Sequence, residues 1–414
     1  MYQYAQREVA HLVAAFNADR EPERVSLKYR ALAATPFSFL RGTCHLFYQD
    51  FSQALPQVDS PLAWISGDLH LENFGSYKGD NRLTYFDIND FGEAVLAPAH
   101  WELARFLVSV LVAADALEVN SSVATGLCNR FLDAYVGALA TGKARWIERP
   151  LATGMVRQLL LSVKARSRAD FLDKRTKLIG GKRKLRLIEG KSLPVTKDER
   201  DKVRTFMTGY AQRQAVPAFY KVLDVARRIA GTGSLGLERY VILVRGRGGS
   251  AGNFLLDLKY TPASALTPFL PARQPAWESE AQRVATVGRL SQAIEPALLE
   301  AVTIGTRSYV LQELLPTQDR LALDMWGGKP QRLEGVMRNM GEVLAWGQLR
   351  AAGRQGAADA EALIAYAGNA KAWRHALLAY AQGYRKQVFA DWKQYKTAFQ
   401  AADKARERHA KTTA

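Results

Sequence analysis

The sequence predicts an α+β protein, with helical stretches toward both ends of the chain and a strand-rich stretch between them. Three observations lead there. Apolar residues recur at helical spacing near the start of the chain (Val9, Leu12, Val13 and Phe16 on one face), and the stretch from about 330 onward is alanine-rich and helical. Between about 223 and 320 the pattern turns to short β-branched and aromatic runs broken by glycine. Two acidic loops, Gly67-Asp68-Leu69-His70-Leu71-Glu72-Asn73 and Asp87-Ile88-Asn89-Asp90-Phe91-Gly92, each leave a short apolar segment.

The totals bound the reading. At 414 residues the chain exceeds one core, since single cores stop growing near roughly 250–300 residues. A 48% hydrophobic composition and a mean hydropathy of −0.18 are those of a soluble globular chain. Lysine and arginine number 57 against 40 acidic residues, a net +17 with a pI near 9.8. Such a field attracts phosphates, nucleic acid or anionic surfaces. Cys44 and Cys128 sit among apolar neighbours without metal-ligand spacing, which argues against a disulfide framework or zinc site and for a reducing compartment. The first residues lack the layout of a signal peptide. The most apolar run, Leu103 to Ala114, contains Arg105 and falls short of the ~20 residues a bilayer needs. A cytoplasmic protein without membrane insertion is expected.

Taken in order, residues 1–150 read as the first part of the helical lobe. A helix over about 5–33 breaks at Thr35-Pro36. Arg41, between Leu40 and Gly42, is placed either to reach an anionic ligand or to pair with a core carboxylate. Leu62 to Ile65 is a strand entering the Gly67-Asp68 turn, and Leu83 to Ile88 is the second strand of a hairpin. Helices follow over about 99–117 and 122–139. Residues 151–222 form a helical insert with a basic hairpin turning at Gly180-Gly181. Its Lys182, Arg183 and Lys184 are either solvated or phosphate contacts. Residues 223–320 form the strand-rich lobe. A helix from about Ala218 to Ile229 leads to Gly231-Thr232-Gly233-Ser234-Leu235-Gly236, then to a strand at Arg239–Val244 and another ending at Lys259. After a proline-bearing linker comes a helix over about 277–293 with Glu278 and Glu280, then a strand from Ser308 to Leu315 closed by Pro316. Residues 321–414 complete the helical lobe.

An Asp, an Asn and a second Asp at the ends of short apolar segments suit magnesium-dependent phosphoryl transfer. One Asp orients the acceptor hydroxyl, while the Asn and the other Asp hold metal against the phosphates. Asp68, Asn73 and Asp90 are the candidates, with Asp87 an alternative metal ligand. His70, inside the first loop, either assists or bonds to backbone. A dinucleotide-binding fold would need a strand before the glycines and a helix after them. Here the glycines lead into a strand, and a lysine lies on the strand after that. In that arrangement backbone covers nucleotide phosphates and the lysine pairs with a helix carboxylate. Gly231, Gly233, Ser234, Gly236, Lys259 and Glu280 (or Glu278) are its members. An ordinary hairpin with a surface lysine is the alternative.

Ser66-Gly67-Asp68-Leu69-His70-Leu71-Glu72-Asn73 resembles the catalytic loop of small-molecule kinases of the aminoglycoside and choline phosphotransferase type, and Asp90-Phe91-Gly92 looks like their metal-binding loop. Glu102-Leu103-Ala104 falls where those kinases brace the site. Pro36 to Gly42, Gly67 to Gly75, Phe86 to Phe91 and Asp224 to Ser234 together resemble the bacterial family known as domain of unknown function 2252, grouped with protein-kinase-like folds. Ser66 stands where those kinases have histidine, and Gly347-Gln348-Leu349-Arg350 where the family has Ala-His-Ala-Arg. The resemblance implies a bilobal protein-kinase-like fold in which the catalytic and metal loops precede the nucleotide lobe, a circular permutation. Gln312, Glu313 and Leu314 would be the hinge offering backbone to adenine, and Leu333 to Leu349 the helix behind the catalytic loop.

The expectation is an ATP- and Mg²⁺-dependent phosphotransferase acting on a hydroxyl of an acceptor for which the basic excess suits an anion. Two alternatives stand beside it. One is an AMP-transferring enzyme of the same fold. The other is a catalytically silent nucleotide- or nucleic-acid-binding module.

Overall fold

The computed structural model describes residues 7–54, 58–314 and 320–412. About half of it is helix, and every sheet is antiparallel among the described residues. The chain opens with α1 (Val9–Phe16), α2 (Pro22–Ala34), α3 (Pro36–Gly42) and α4 (Cys44–Ala54). The helix expected over 5–33 is therefore two, parted at residues 17–21. Pro36, expected as a breaker, instead opens α3, because the first turn of a helix has no use for its missing N–H.

Strands β1 (Leu62–Ile65), β2 (Phe74–Lys78), β3 (Thr84–Ile88) and β4 (Val95–Pro98) frame the two acidic loops. β1 pairs with β4 and β2 with β3, so Ile65 faces Val95 and Phe74 faces Ile88. Both loops consequently leave the strands at one place, where the Asn89 N–H donates to the Asn73 carbonyl at 2.8 Å. The apolar helix α5 (Ala99–Ala113) packs beneath them, followed by α6 (Ser121–Ala140) and the short β5 (Ile147–Glu148).

Next come α7 (Gly154–Lys164), α8 (Arg168–Asp173), the hairpin β6 (Thr176–Ile179) and β7 (Lys182–Leu185), then β8 (Ser192–Leu193) and α9 (Lys197–Gln212). The strand-rich part that follows holds β9 (Val222–Arg228), β10 (Arg239–Val244), β11 (Phe254–Tyr260), α10 (Glu280–Ser291), β12 (Glu300–Ile304) and β13 (Arg307–Glu313), in the sheet order β12-β13-β11-β10-β9-β8. The helix expected over 218–229 is thus corrected to a strand. Pro217 opens only a short 3₁₀ turn, and Ala226 pairs with Val241 across the sheet. Leu315 and Pro316 lie outside the described residues. The chain ends with α11 (Pro330–Ala351), which matches the expected long helix, α12 (Ala360–Gly368) and α13 (Ala370–Thr412).

Period-two alternation splits the strand-rich part's apolar residues between two faces. Val225, Ile242, Leu256 and Leu311 pack on Val203, Met207 and Tyr210 of α9. On the opposite face, Ala226, Val241, Leu243 and Leu255 are covered by Leu172 of α8 and Leu185 of β7. Among the described residues no helix is long and apolar enough to cross a membrane.

Candidate functional site

The acidic loops, the glycine loop between β9 and β10 and the end of β11 meet at a cavity of ≈ 380 Å³, a size that suits a small-molecule ligand. Asp68, Asn73, Asp90, Gly233, Ser234, Gly236, Lys259 and Gln312 all line it.

Asp68 sits on a turn that only glycine completes. Gly67 has φ +85°, and a Cβ there would lie 2.1 Å from the Glu93 carbonyl oxygen. Arg105, fully buried on α5, donates Nε and Nη2 to Asp68 Oδ1 at 3.1 and 2.7 Å, and Nη2 also reaches the Leu40 carbonyl at 2.6 Å. Both contacts fall on Oδ1, so no arginine contact is spent on Oδ2. Burial pushes the Asp68 carboxyl up to about 6 against the pull of Arg105. Glu102, one turn earlier on α5, accepts from the Ser66 N–H at 2.6 Å and from the Ser66 hydroxyl, bracing the turn from behind. Burial pushes its carboxyl up to about 7, although Ser66 and Gln348 pull it down.

Asn73 donates Nδ2 to the Asp68 carbonyl at 2.8 Å, which turns its carboxamide oxygen away from that bond. Asp90 accepts the Gly92 N–H at 3.0 Å and lies 3.7 Å from Lys259 Nζ. Burial raises its carboxyl, but Lys259 and Gly92 outweigh that and hold it below the usual carboxylate range. Beside them Asn89 lines the cavity; its Oδ1 is buried with no hydrogen-bond partner, and its Nδ2 is spent on the Ser76 carbonyl. Hard oxygens on Asn73, Asp90 and Asn89 fit Mg²⁺, which takes few protein ligands and completes its shell with water and phosphate. Among the described residues no cluster of three His, Cys, Asp or Glu forms a cage of its own. Asp87 does not join this set. Its carboxylate accepts the Ile88 and Ala293 N–H groups and pairs with Arg350 at 3.3 Å, and it is absent from the cavity wall. Burial pushes it up to about 6.

The glycine loop is held from outside the strand-rich part. Arg20 Nη1 donates to the Gly233 and Leu235 carbonyls at 2.6 and 2.7 Å, and the buried Lys28 reaches Gly233 at 3.4 Å while donating to Asn17 Oδ1 at 2.9 Å. Gly236 has φ +88° and leaves no room for a Cβ, which would stand 2.9 Å from Arg20 Cβ. Gly231, also at positive φ, lies outside the cavity wall. The expected partner of Lys259 is corrected. Glu280, in the first turn of α10, accepts from Arg283 Nε at 2.6 Å, and the α10 residues lining the cavity are Val284 and Gly288. Glu278 likewise makes no ion pair with Lys259 among the described residues, its N–H going to Gln282 at 2.8 Å. Arg283 instead fastens the loop after Asp90, donating to the Gly92, Ala94 and Pro262 carbonyls. The hinge expectation is also narrowed. The Glu313 and Leu314 N–H groups already go to Ala297 and Leu255 at 3.2 and 3.0 Å, and Glu313 pairs with Arg82 at 2.9 Å. Only Gln312 of the three lines the cavity.

Arg41 is absent from the cavity wall and pairs at 2.7 Å with Glu72, a part-exposed rather than a core carboxylate, which Arg320 also reaches at 3.1 Å. His70 accepts the Glu72 N–H at 3.1 Å and caps the turn over Leu71–Asn73. Burial together with Arg41 holds its imidazole well below the usual range, so it stays neutral. Lys182 and Lys184 are exposed on the hairpin, and Arg183 is buried against Asp173 at 2.6 Å; none of the three reaches the cavity.

Sequence reasoning overlooked Arg105, Arg20, Lys28, Asn89 and Arg283. Arg105 carried a signal, because a lone charge inside an apolar helix demands a buried partner.

Over residues 20–398 the chain matches the family described as "Uncharacterized protein conserved in bacteria (DUF2252)", and it belongs to that family. No curated protein and no solved structure matches it.

Proposed function

We propose that this protein is an ATP- and Mg²⁺-dependent phosphotransferase with a circularly permuted protein-kinase-like fold. The observation that carries the reading is the convergence of Asp68, Asn73, Asp90 and Lys259 on one cavity under a glycine loop, from positions 68 to 259 of the chain. The strand-rich part supports it. A glycine loop joins two antiparallel strands, the lysine lies on the third, a helix separates that strand from the next two, and the chain leaves the last beside the cavity.

In this reading Asp68 orients the acceptor hydroxyl and takes its proton on Oδ2, while Arg105 on Oδ1 fixes the carboxylate plane. Asn73 and Asp90 would hold Mg²⁺, with the Asn89 carboxamide beside them. The ion, when bound, neutralises charge on the transferring phosphoryl group. Lys259 contacts the phosphates, and the loop from Gly231 to Gly236 covers them. The basic excess suits an anionic acceptor, and the two free buried cysteines suit the cytoplasm.

Calorimetry with ATP in the presence and absence of Mg²⁺, paired with transfer of γ-labelled phosphate, tests the reading. The wild type is expected to bind ATP in a Mg²⁺-dependent way, and Asp68→Ala to bind it while losing transfer. Transfer at the wild-type level in that variant would remove Asp68 from its role. A wild type that ignores ATP would remove the whole reading.

One observation favours AMP transfer as the second reading. Beside Lys259, on the same sheet face, Arg228 and Arg239 share the single carboxylate of Asp257 at 2.8 Å each, leaving positive charge in surplus. A nucleotide turned end for end would place its outer phosphates there. Intact mass of the product separates the two, at about 80 against about 330 daltons added.

A further inference from the structure

The basic hairpin is left unused by the cavity, and its geometry points to a second task. We propose that the tip of β6–β7 is a docking element for an anionic lipid bilayer, seating Leu178 and Ile179 among the headgroups while the flanking lysines meet their charge.

The hairpin is firmly mounted at its base. Arg183 donates to Asp173 and to the Ser250 carbonyl, each at 2.6 Å, and the Leu185 N–H donates to Asp224 Oδ2 at 2.9 Å. Thr176 faces Leu185 on the inner side, and both are buried. Toward the turn the character reverses. Gly180 and Gly181 have φ +55° and +74°, and a Cβ on either would meet nothing within 4 Å, so the tip stands clear of the body. Leu178 and Ile179 are 56% and 54% exposed there. On the outer face Ile179 pairs with Lys182 and Lys177 with Lys184, so Ile179 shares that face with three lysines, while Leu178 pairs with Arg183 on the other. None of those lysines has an ion pair among the described residues, and residues 174–188 contain no acidic side chain.

A merely solvated hairpin has no use for two large apolar side chains at its most exposed point, because each leaves hydrocarbon in water. A nucleic acid would use the lysines but not the leucine and isoleucine, and no aromatic ring is present between 174 and 188 for base stacking. A bilayer uses both. Anionic headgroups attract each lysine, and the boundary with the acyl chains takes the apolar pair. Two short side chains and three charges give reversible surface binding, which agrees with the absence of a membrane-crossing helix among the described residues.

The test is sedimentation of the full-length protein with phosphatidylcholine vesicles, with and without phosphatidylglycerol, over a salt series. Binding is expected only to the anionic vesicles and should fall with salt. Each of Lys177→Gln, Lys182→Gln and Lys184→Gln should weaken it about fivefold, or about 1 kcal/mol. Leu178→Asp with Ile179→Asp should abolish it, with the melting temperature unchanged because both positions are exposed. No binding of the wild type at low salt overturns the proposal. Undiminished binding by the double aspartate variant overturns it as well, since charge alone would then suffice. Duplex RNA or DNA that displaces the protein from vesicles with higher affinity assigns the hairpin to nucleic acid instead.

Discussion

Arg105→Met probes the centre of the site without any substrate. The substitution keeps most of the apolar stem but removes the guanidinium that holds Asp68 Oδ1 and the Leu40 carbonyl and lies 5.0 Å from the Phe47 ring centroid. The Asp68 carboxyl already stands at about 6, against an ordinary 3.8. A raised carboxyl stabilises the fold fully only below its unfolded value. In the wild type that contribution is therefore lost as pH rises from about 4 through about 6, a cost of about 3 kcal/mol at neutral pH. Without Arg105 the carboxyl rises further and the loss continues to higher pH. Breaking a buried pair costs about 3–5 kcal/mol where the remaining charge is ionised. Asp68 keeps 18% of its side-chain surface exposed, which places the deficit near the lower end, about 3 kcal/mol at pH 8. At pH 5 Asp68 is mostly protonated in both proteins, and only the neutral hydrogen bond is missed, about 1 kcal/mol. Urea unfolding followed by circular dichroism at the two pH values measures this directly. Adding Asp68→Asn to Arg105→Met should recover most of the pH 8 deficit. Equal deficits at both pH values, or a double variant no more stable than the single one, would refute the reasoning.

Two further outcomes separate metal chemistry from scaffolding. Asp90→Asn should weaken Mg²⁺-dependent ATP binding at least tenfold with little change in stability, whereas Asp87→Ala should leave the Mg²⁺ dependence alone. That second variant removes the carboxylate facing Arg350 and the acceptor of the Ala293 N–H, for a loss of about 2–3 kcal/mol in urea unfolding. Gly67→Ala forces a Cβ against the Glu93 carbonyl at φ +85° and should cost more than about 2 kcal/mol. ATP affinity should fall with it, because Glu93 lines the cavity.

The placement of Asp68 and Asp90 at strand ends was legible because that signal is local. A glycine, a carboxylate and a carboxamide at fixed spacing need only a strand end to display them. The Lys259 partner was not. Spacing pointed to Glu280, yet Glu280 sits in the opening turn of α10 and is taken by Arg283, while Val284 and Gly288 reach the cavity. β9 was misread for a related reason. Leu223 to Arg228 carries good helix formers, and only pairing with β10 makes it a strand, a contest that tertiary context wins. The two departures at Ser66 and Gln348 lie far apart in the chain but meet at one carboxylate. Ser66 bonds to Glu102, and Gln348, which accepts from Tyr135 at 2.5 Å, neighbours the same group. No single-chain pattern reveals that two substitutions share one neighbour.

The meeting of first and last helices has a consequence for synthesis. Arg7 pairs with Asp50 and Asp391, Trp392 donates to the Ala33 carbonyl at 3.2 Å, and Tyr380 and Tyr384 of α13 set their rings against Phe47 of α4. The opening helices thus leave the ribosome more than three hundred residues before the aromatic shelf they rest on. At roughly 5–20 residues per second that is a wait of roughly 15 to 60 seconds with Phe47 and Phe51 uncovered. The packing of α4 on α13 must therefore wait until α13 has been made, and the nascent chain is at its most vulnerable to aggregation and most dependent on chaperones in that interval.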